Sequence, residues 1–200
     1  MRGGIHRVTR TAPERIETAR LVLRRPTSGD AAAIFERYSS DPAVTRYLGW
    51  PRHESVDDTA AFLAFSDTVW HAAGAGPFLI LKPDGRLLGS TGLIVETPHR
   101  AVTGYVLARD AWGSGYATEA LMTMVGLAQT LFIQRLEAQC HPEHTASMRV
   151  LEKCGFTREA RLAAHTEFPN LAPGRTLDVL LYARMLAPGG SERSRNRRGA

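Results

Sequence analysis

Apolar residues along the first third of the chain alternate briefly and then recur at helical spacing. Leu21 and Leu23 alternate with polar neighbours, which predicts a strand that ends at a proline. Thr27 with Asp30 three residues later is typical of a helix start, and it predicts a short helix followed by a second short helical piece. A longer helix is predicted from about Ser55 to Ala72, since apolar residues recur through it to supply a packing surface.

Beyond residue 76 the pattern predicts strands interrupted by two helices. The runs PFLIL and LLGSTGLIV flank an Asp84-Gly85 turn, which is typical of a hairpin. The runs AVTGYVLA, RLEAQC and LDVLLYARM predict three further strands. One helix is predicted from Ser114, and another begins near Pro142 and ends before Gly155, where glycine suits a left-handed cap. This order predicts a single α/β or α+β domain with a mixed sheet.

Length and composition are those of an ordinary globular chain and exclude several classes of protein. Of the 200 residues, 44% are hydrophobic and 22% are charged, so the chain is long enough to bury a core. It contains no apolar run of about 18 residues and no apolar leader, which predicts neither a transmembrane helix nor a secretory signal. Two cysteines, Cys140 and Cys154, are too few for a disulfide framework. We expect reduced thiols in a cytoplasmic protein.

The net charge of +5 is concentrated at the two ends of the chain. Residues 1–13 carry three arginines and no acid, and residues 188–200 carry four arginines and one glutamate, so each end contributes +3 and leaves −1 for residues 14–187. Basic ends around a nearly neutral body are typical of tails. We expect a flexible basic N-terminal tail (1–13), a folded domain (14–187) and a disordered basic C-terminal tail (188–200). Nucleic-acid binding is not expected as the main function.

A glycine-rich stretch, WGSGYATEA at residues 112–120, leads into a predicted helix. Free N–H groups and the positive end of the helix dipole bind phosphate at such a place. A Walker loop is excluded, because no lysine stands at the helix start. The dinucleotide fingerprint G-x-G-x-x-G is matched only at Gly113 and Gly115, because Thr118 occupies its third position. The stretch therefore needs a different phosphate ligand.

A third kind of loop fits better. Trp112-Gly-Ser-Gly-Tyr-Ala117 is similar to the pyrophosphate loop Gln/Arg-x-x-Gly-x-Gly/Ala of the GNAT superfamily of N-acetyltransferases, with Trp in the first position. GYVLARDAWGSGYATEAL followed by HPEHTASMRVLEKCGF resembles the branch that includes the RimJ/RimL-type protein N-terminal acetyltransferases. The resemblance covers roughly Ala19 to Met185. It implies an N-acetyltransferase domain (14–187) with a central mixed, mostly antiparallel sheet that is splayed at the acetyl-CoA site and flanked by helices.

The resemblance implies acetyl-CoA as the acyl donor and no metal. The loop would bind the pyrophosphate, since small residues let the backbone approach it, and the free edge of the preceding strand would bind the pantetheine arm. The residues assigned to the cofactor on this basis are Leu107, Ala108, Arg109, Trp112, Gly113, Ser114, Gly115, Tyr116, Ala117, Thr118, His144 and Ser147.

Acetyl transfer from a thioester to an amine needs a neutral amine, a stabilised oxyanion and a proton for the departing thiolate. The family motif N-x-x-S appears here as His144-Thr-Ala-Ser147. By resemblance Ser147 is catalytic and donates a proton or hydrogen bond to the cofactor sulfur. His144 replaces the asparagine of the motif, and it either donates to pantetheine or caps the helix. His141 and His144 lack a third ligand nearby in sequence, so a metal site is not predicted.

The general base and the acceptor are less determined. Glu167 is the candidate base, because some relatives place a carboxylate after the C-terminal helix; Glu96, Asp178 and a water chain stay open. The acceptor is a protein N-terminus or a small amine, bound between the region 41–76 and the loop AHTEFPNLAPGRT. A wide cleft would favour a peptide, and a narrow acidic pocket a polyamine or aminoglycoside. The alternative is a non-catalytic module that senses coenzyme A or binds a partner. Monomer and homodimer are both compatible with the sequence, and no membrane partner is expected.

Overall fold

The computed structural model describes residues 10–187, which build an open sheet of eight strands. The strands are β1 (Arg15–Glu17), β2 (Val22–Arg24), β3 (Pro77–Leu81), β4 (Leu87–Thr97), β5 (Arg100–Leu107), β6 (Arg135–Cys140), β7 (Thr157–Glu167) and β8 (Thr176–Met185). They lie in the order β1-β2-β3-β4-β5-β6-β8-β7. Neighbours are antiparallel except β5 and β6, which are parallel. The predicted mixed, mostly antiparallel sheet is confirmed.

Helices cover the sheet. The three long ones are α3 (Val56–Ala73), α4 (Tyr116–Thr130) and α5 (Thr145–Lys153), and the two short ones are α1 (Ala31–Ile34) and α2 (Pro42–Thr45). A π-helical turn at Phe35–Ser39 extends α1, and 3-10 turns lie at Ser28–Asp30 and Arg109–Ala111. These positions confirm the helices that the apolar spacing predicts. Within the described chain, none of the helices has the length and apolarity needed to cross a membrane.

Both faces of the central strand β3 are buried. Phe78 and Ile80 pack in a core cluster with the apolar side of α4, whereas Leu79 and Leu81 pack in a second cluster with Ile34 of α1 on the opposite face. A strand that is covered on both sides has no polar face. This is why the sequence of β3, PFLIL, is a continuous apolar run and not an alternating one.

Two strands, β1 and β7, do not follow from the hydrophobic pattern. β7 is the edge of the sheet, and only Ala160, Leu162 and Thr166 along it are partly buried. Its pairing with β8 shifts register twice, and Ala164 in the second shift has a φ of 45°. An edge strand that is exposed and irregular shows no period-2 alternation. The hydrophobic pattern therefore identifies β8 as the last strand but not its partner.

One residue of the predicted N-terminal tail is buried against the folded domain. Ala12 is buried in the core, and its N–H donates to the carbonyl oxygen of Gly74 at 2.7 Å. Ala12 thus packs on the domain, although the sequence analysis places it in the predicted tail 1–13. Residues 1–9 and the predicted C-terminal tail, 188–200, lie outside the described residues, so their flexibility stays a prediction.

The central strands part in the middle of the sheet. β5 and β6 pair only where Arg100–Val102 lies beside Arg135–Glu137. β5 continues to Leu107 along β4, and β6 continues to Cys140 along β8, without further pairing to each other. The sheet is therefore splayed between its two halves, as the family resemblance implies.

Candidate active site

A cavity of about 420 Å³ lies where β5 and β6 part. Residues 103–106 of β5 and 138–140 of β6 line its sides, and Ser147 of α5 borders it. The segment 47–50 together with Phe168 forms the far wall. Within residues 10–187, no Asp, Glu, Lys or Arg lines this cavity. Its chemistry therefore depends on hydroxyl, imidazole, thiol and main-chain groups.

The main chain of β5 presents a free edge to the gap. The Ala108 N–H donates to the Leu88 carbonyl of β4 at 2.8 Å, so the amide groups of Leu107 and Tyr105 point to the opposite side. The Leu107 carbonyl indeed accepts a hydrogen bond from the Trp112 indole at 2.8 Å. The edge at Tyr105 lies along the cavity, and the edge at Leu107 meets the glycine-rich loop. An extended amide-bearing ligand can add to such an edge as another strand does.

The glycine-rich loop leaves the start of α4 open. Gly113 and Gly115 have φ values of 73° and 80°, a left-handed conformation that glycine adopts without strain. Gly115 is the N-cap of α4, and no side chain caps the helix. The N–H groups of residues 113–118 donate no hydrogen bond to any part of the chain that the structure describes. Uncapped donors at the positive end of a helix form an anion site.

A hydrogen-bonded brace made of Thr18, Arg20 and Glu119 holds the loop. The Glu119 carboxylate accepts from Thr18 Oγ1 at 2.6 Å and from Arg20 Nε at 2.7 Å, and Arg20 Nη1 donates to the Ser114 carbonyl at 3.0 Å. Burial raises the pKa of the Glu119 carboxyl, but the hydrogen bonds from Thr18 and Arg20 outweigh burial and hold the pKa below its ordinary value. Glu119 is therefore ionised at neutral pH and fixes Arg20 against the loop.

Two cations lie near the first residue of α4. The Arg20 guanidinium lies 4.9 Å from the centroid of the Tyr116 ring, and the Lys82 ammonium lies 5.8 Å from it. Both are within the range of a cation–π contact. Glu119 neutralises the charge of Arg20, so Lys82 and the helix dipole supply the positive potential at this end of the gap.

The remaining predicted cofactor residues surround the loop. Leu107 and Ala108 are buried at the end of β5, and Ala117 and Thr118 lie in the first turn of α4. The Arg109 guanidinium donates to Asp41 at 2.8 Å. Trp112 is 49% exposed, with its indole N–H on the Leu107 carbonyl. The structure thus brings residues 107–118 together at one end of the β5 edge.

Ser147 lies at the other end of that edge, in the first turn of α5. Its hydroxyl is 3.0 Å from the hydroxyl of Tyr105, which also donates to the Ser147 carbonyl at 3.3 Å. Burial raises the pKa of Tyr105, and the hydrogen bond with Ser147 offsets this only in part. Tyr105 is therefore a neutral donor. It fixes Ser147 against the parted strand.

His144 precedes α5 as its N-cap, although its side chain makes no capping bond. Its ring lines the cavity and stacks on Tyr47, with centroids 4.9 Å apart. The buried His141 stacks on the same tyrosine at 5.1 Å, and the Arg46 guanidinium lies 5.3 Å from the Tyr47 centroid. Burial, and then the proximity of His141, lower the pKa of His144. Its imidazole is therefore neutral at pH 7.

The structure does not bring the predicted base, Glu167, to the cavity. Thr166 and Phe168 line it, whereas the carboxylate of Glu167 between them accepts from the Gly174 N–H at 2.8 Å. The two other candidate carboxylates are also engaged elsewhere. Glu96 pairs with Arg100 at 2.9 Å, and Asp178 accepts from Arg161 at 2.8 Å.

A thiol also borders the cavity. Cys140 at the end of β6 is buried, and burial followed by the Glu152 carboxylate raises its pKa to about 11. It is therefore protonated at neutral pH. No group of three or more His, Cys, Asp or Glu side chains in the described chain is arranged to hold a metal ion.

Sequence reasoning does not identify four residues of the site. Tyr105 stands in the motif GYVLARDAWGSGYATEAL. Its place on the strand whose free edge faces the cofactor is the signal that points to it. Glu119 follows the loop directly, so a carboxylate in the first helical turn was visible in the sequence. Arg20 and Tyr47 reach the site only through tertiary packing, and no local pattern marks them.

Comparisons with known proteins agree with this geometry. A sequence profile of the acetyltransferase (GNAT) domain matches residues 20–157. An uncharacterized N-acetyltransferase of Bacillus licheniformis, p20, is 30% identical over 174 residues, which are 85% of this chain and 95% of the relative. The profile and this relative together show the family.

Solved structures show the same fold. RimL, a ribosomal L7/L12 α-N-protein acetyltransferase in complex with coenzyme A, is 23% identical with a TM-score of 0.76, over 86% of this chain and 98% of RimL. Spermidine N-acetyltransferase from Vibrio cholerae, in complex with coenzyme A and spermine, is 20% identical with a TM-score of 0.71, over 84% and 96% of the two chains. The profile match over more than half of the chain and the relative of 30% identity lead to one conclusion: the chain belongs to the GNAT family of acetyl-CoA-dependent N-acetyltransferases.

Proposed function

We propose that the protein transfers the acetyl group of acetyl-CoA directly to a primary amine within a ternary complex. The observation that carries this proposal is the free β5 edge, which leads from the uncapped loop at 113–118 to the hydroxyl of Ser147. A single ligand that spans both ends needs a diphosphate, an amide-bearing arm and a reactive terminus. The same gap leaves the far wall open to an acceptor amine.

The residues of the gap fit acetyl-CoA. Free N–H groups at 113–118 suit the diphosphate, and the main chain of Tyr105 and Leu107 suits the amides of the pantetheine arm. When bound, acetyl-CoA supplies a thioester whose carbonyl carbon the amine attacks. Main-chain N–H groups on the same edge are placed to stabilise the charge that develops on the carbonyl oxygen.

Ser147 donates its hydroxyl proton to the departing sulfur in this mechanism, and the proton that leaves the amine restores the hydroxyl, so no net proton is gained or lost. Tyr105 holds a single hydroxyl proton, and burial keeps it there by raising the pKa of Tyr105. That proton can serve either the Ser147 carbonyl or Ser147 Oγ. When it is donated to Ser147 Oγ, which lies 3.0 Å away, the Ser147 proton is free to point into the cavity, and in this arrangement the pair orients one donor toward the gap. We place Ser147 as the catalytic donor and Tyr105 as the residue that positions it.

His144 accepts the proton that leaves the amine. The titratable side chains that line the cavity within the described chain are Tyr47, Tyr105, Cys140 and His144. Only the imidazole has an ordinary pKa near neutrality, and burial lowers that pKa further, so the ring is ready to accept a proton at pH 7. We therefore assign the base to His144, since the Glu167 carboxylate is held on the Gly174 N–H.

A first experiment tests the loop and the direct transfer. Gly113→Ala should weaken acetyl-CoA binding in calorimetry by tenfold or more, because its methyl group enters the space where the ligand approaches. Gly174→Ala is the matched control: its φ of 71° imposes similar strain and its Cβ meets nothing, but Gly174 lies between β7 and β8 and does not line the gap. Equal losses in both variants, or ping-pong kinetics in thiol release, would contradict the proposal.

A second experiment tests the two proton-transfer residues. Ser147→Ala should lower kcat about tenfold and His144→Gln about a hundredfold, with acetyl-CoA affinity changed little. In the wild type, kcat should fall as pH falls through the pKa of His144, with an acid limb below about pH 6.5, the ordinary value for histidine. That limb should vanish in His144→Gln. An unchanged limb would remove His144 from the mechanism.

A further inference from the structure

The far side of the cavity is built from aromatic side chains. We call it the aromatic wall, and its members are Tyr47, Trp50, Phe62 and Phe168. The His53 ring lies 5.1 Å from the Trp50 ring and 6.4 Å from the Phe62 ring, and it backs both. His144 adjoins the wall, because its ring stacks on Tyr47, and Ser147 lines the same cavity. An acceptor amine that reaches these two residues must therefore rest its substituent on aromatic surface.

The wall is fixed by the loop that follows β7. The Asn170 side chain donates to the Thr45 carbonyl at 2.9 Å and to the Trp50 carbonyl at 2.8 Å, and it accepts from the Arg52 N–H at 2.7 Å. One amide thus ties this loop to both ends of the segment that carries Tyr47 and Trp50. A wall that is rigid before binding loses little conformational entropy when a ligand packs on it.

The wall also lacks a counterion. No carboxylate lines the cavity within residues 10–187, and a cation, Arg46, lies on the Tyr47 ring. A polyamine or aminoglycoside would bring a second ammonium group into this space. That charge would lose water without gaining a partner, which is strongly unfavourable. The site is therefore matched to an acceptor with a single amine.

We propose that the acceptor is a monoamine whose carbon next to the amine carries an aromatic or bulky apolar group, and that this group packs on Trp50, Phe62 and Phe168. This inference rests on the proposed acetyl transfer and narrows its substrate class. Two sources supply the chemistry, a small arylalkylamine and a peptide whose first residue is aromatic. In both ligands, the aromatic ring packs on the aromatic wall and the amine points to His144.

The wild-type test compares amines at saturating acetyl-CoA. We expect kcat/KM for 2-phenylethylamine or the amide of Phe-Gly to exceed that for spermidine and for the amide of Gly-Gly by at least about tenfold. A higher value for Phe-Gly amide identifies a peptide N-terminus as the source, and a higher value for 2-phenylethylamine identifies a small amine. Preference for spermidine or Gly-Gly amide overturns the inference but leaves the transfer reaction intact. Acetyl-CoA binding without acetylation of any amine overturns the proposed function itself.

Two variants of Trp50 test whether the aromatic wall causes the preference for an aromatic amine. Trp50→Ala should raise KM for the aromatic amine about tenfold while acetyl-CoA affinity stays the same. Phe65→Ala is the control, since Phe65 is a 56% exposed aromatic residue of α3 that does not line the cavity. Trp50→Glu should lower activity on the aromatic amine and raise activity on spermidine, because it introduces the missing counterion. Equal KM values in Trp50→Ala and wild type would overturn the placement of the ring.

Discussion

Two long helices of this protein begin in opposite ways. At the start of α3, the Ser55 hydroxyl accepts from the Asp58 N–H at 3.2 Å, and Asp58 accepts from the Ser55 N–H at 3.0 Å. At the start of α4, Gly115 has no side chain to cap the helix. The N–H groups of residues 113–118 have no acceptor in the described chain. α3 satisfies its own donors, whereas α4 leaves them to a ligand.

The acidic residue of the first turn makes the same contrast. Asp58 turns back to the N–H groups of its own helix start. Glu119 turns away from its helix to Thr18 and Arg20, and Arg20 then holds the loop by the Ser114 carbonyl. The Glu119 carboxylate thus stabilises the loop through Arg20 and does not occupy the anion site. The comparison shows that an open helix start needs support from outside the helix.

The largest expected effect comes from closing the start of α4. Gly115→Asp places a carboxylate among the free N–H groups and should weaken acetyl-CoA binding about a hundredfold, since a second anion must then share the site. Gly115→Asn is the matched control, because asparagine has the same shape, tolerates positive φ and carries no charge. Calorimetric titration with acetyl-CoA measures both. Similar affinities for the two variants would show that charge at this helix start does not matter.

A smaller effect is expected from loosening the brace. Glu119→Gln should raise the Kd for acetyl-CoA about three- to tenfold, because Arg20 loses the partner that fixes it against the loop. Glu159→Gln is the control, since that carboxylate is also ion-paired, with Arg135, but lies on the edge strand β7.

The pH dependence of the brace follows from the same carboxylate. The pKa of Glu119 lies below its ordinary value of about 4.3, so the brace is complete above that pH and is lost only as pH falls through the lowered pKa. Acetyl-CoA affinity measured from pH 8 to pH 5 should therefore show no contribution from Glu119. A midpoint within that range that disappears in Glu119→Gln would contradict the assignment.

The smallest effect on binding is expected at α3. Ser55→Ala removes a cap and should lower the free energy of unfolding by about 1 kcal/mol in urea titration. The Kd for acetyl-CoA should not change, since the cap of α3 only completes its own helix. A loss of acetyl-CoA affinity in Ser55→Ala would contradict the conclusion that the start of α3 takes no part in ligand binding.

The cofactor end of the site could be predicted from the sequence because its chemistry is local. Two glycines with positive φ and the helix start that follows them are adjacent in the chain, so one short motif specifies the loop. The strands β5 and β6 themselves follow from the apolar pattern, and their parting is what the family resemblance implies. These features need no long-range contact to be recognised.

The acceptor end could not be predicted, because residues distant in sequence build it. Tyr47 reaches His144 across almost a hundred positions, and Asn170 joins the same wall from beyond β7. Glu167 shows the limit most clearly. Strand alternation sends its neighbours Thr166 and Phe168 into the cavity and turns Glu167 away, and the register shifts of β7 hide that alternation from the sequence.

The raised pKa of Cys140 protects the reaction from a competitor. A thiolate beside a thioester would take the acetyl group for itself and leave the enzyme modified. With its pKa raised to about 11, the Cys140 thiol is protonated at pH 7. Burial thus keeps the Cys140 thiol, which lines the cavity, from acting as a nucleophile. The acetyl group is then transferred to the amine. Intact-mass spectra of protein incubated with acetyl-CoA should accordingly show no added acetyl group on Cys140.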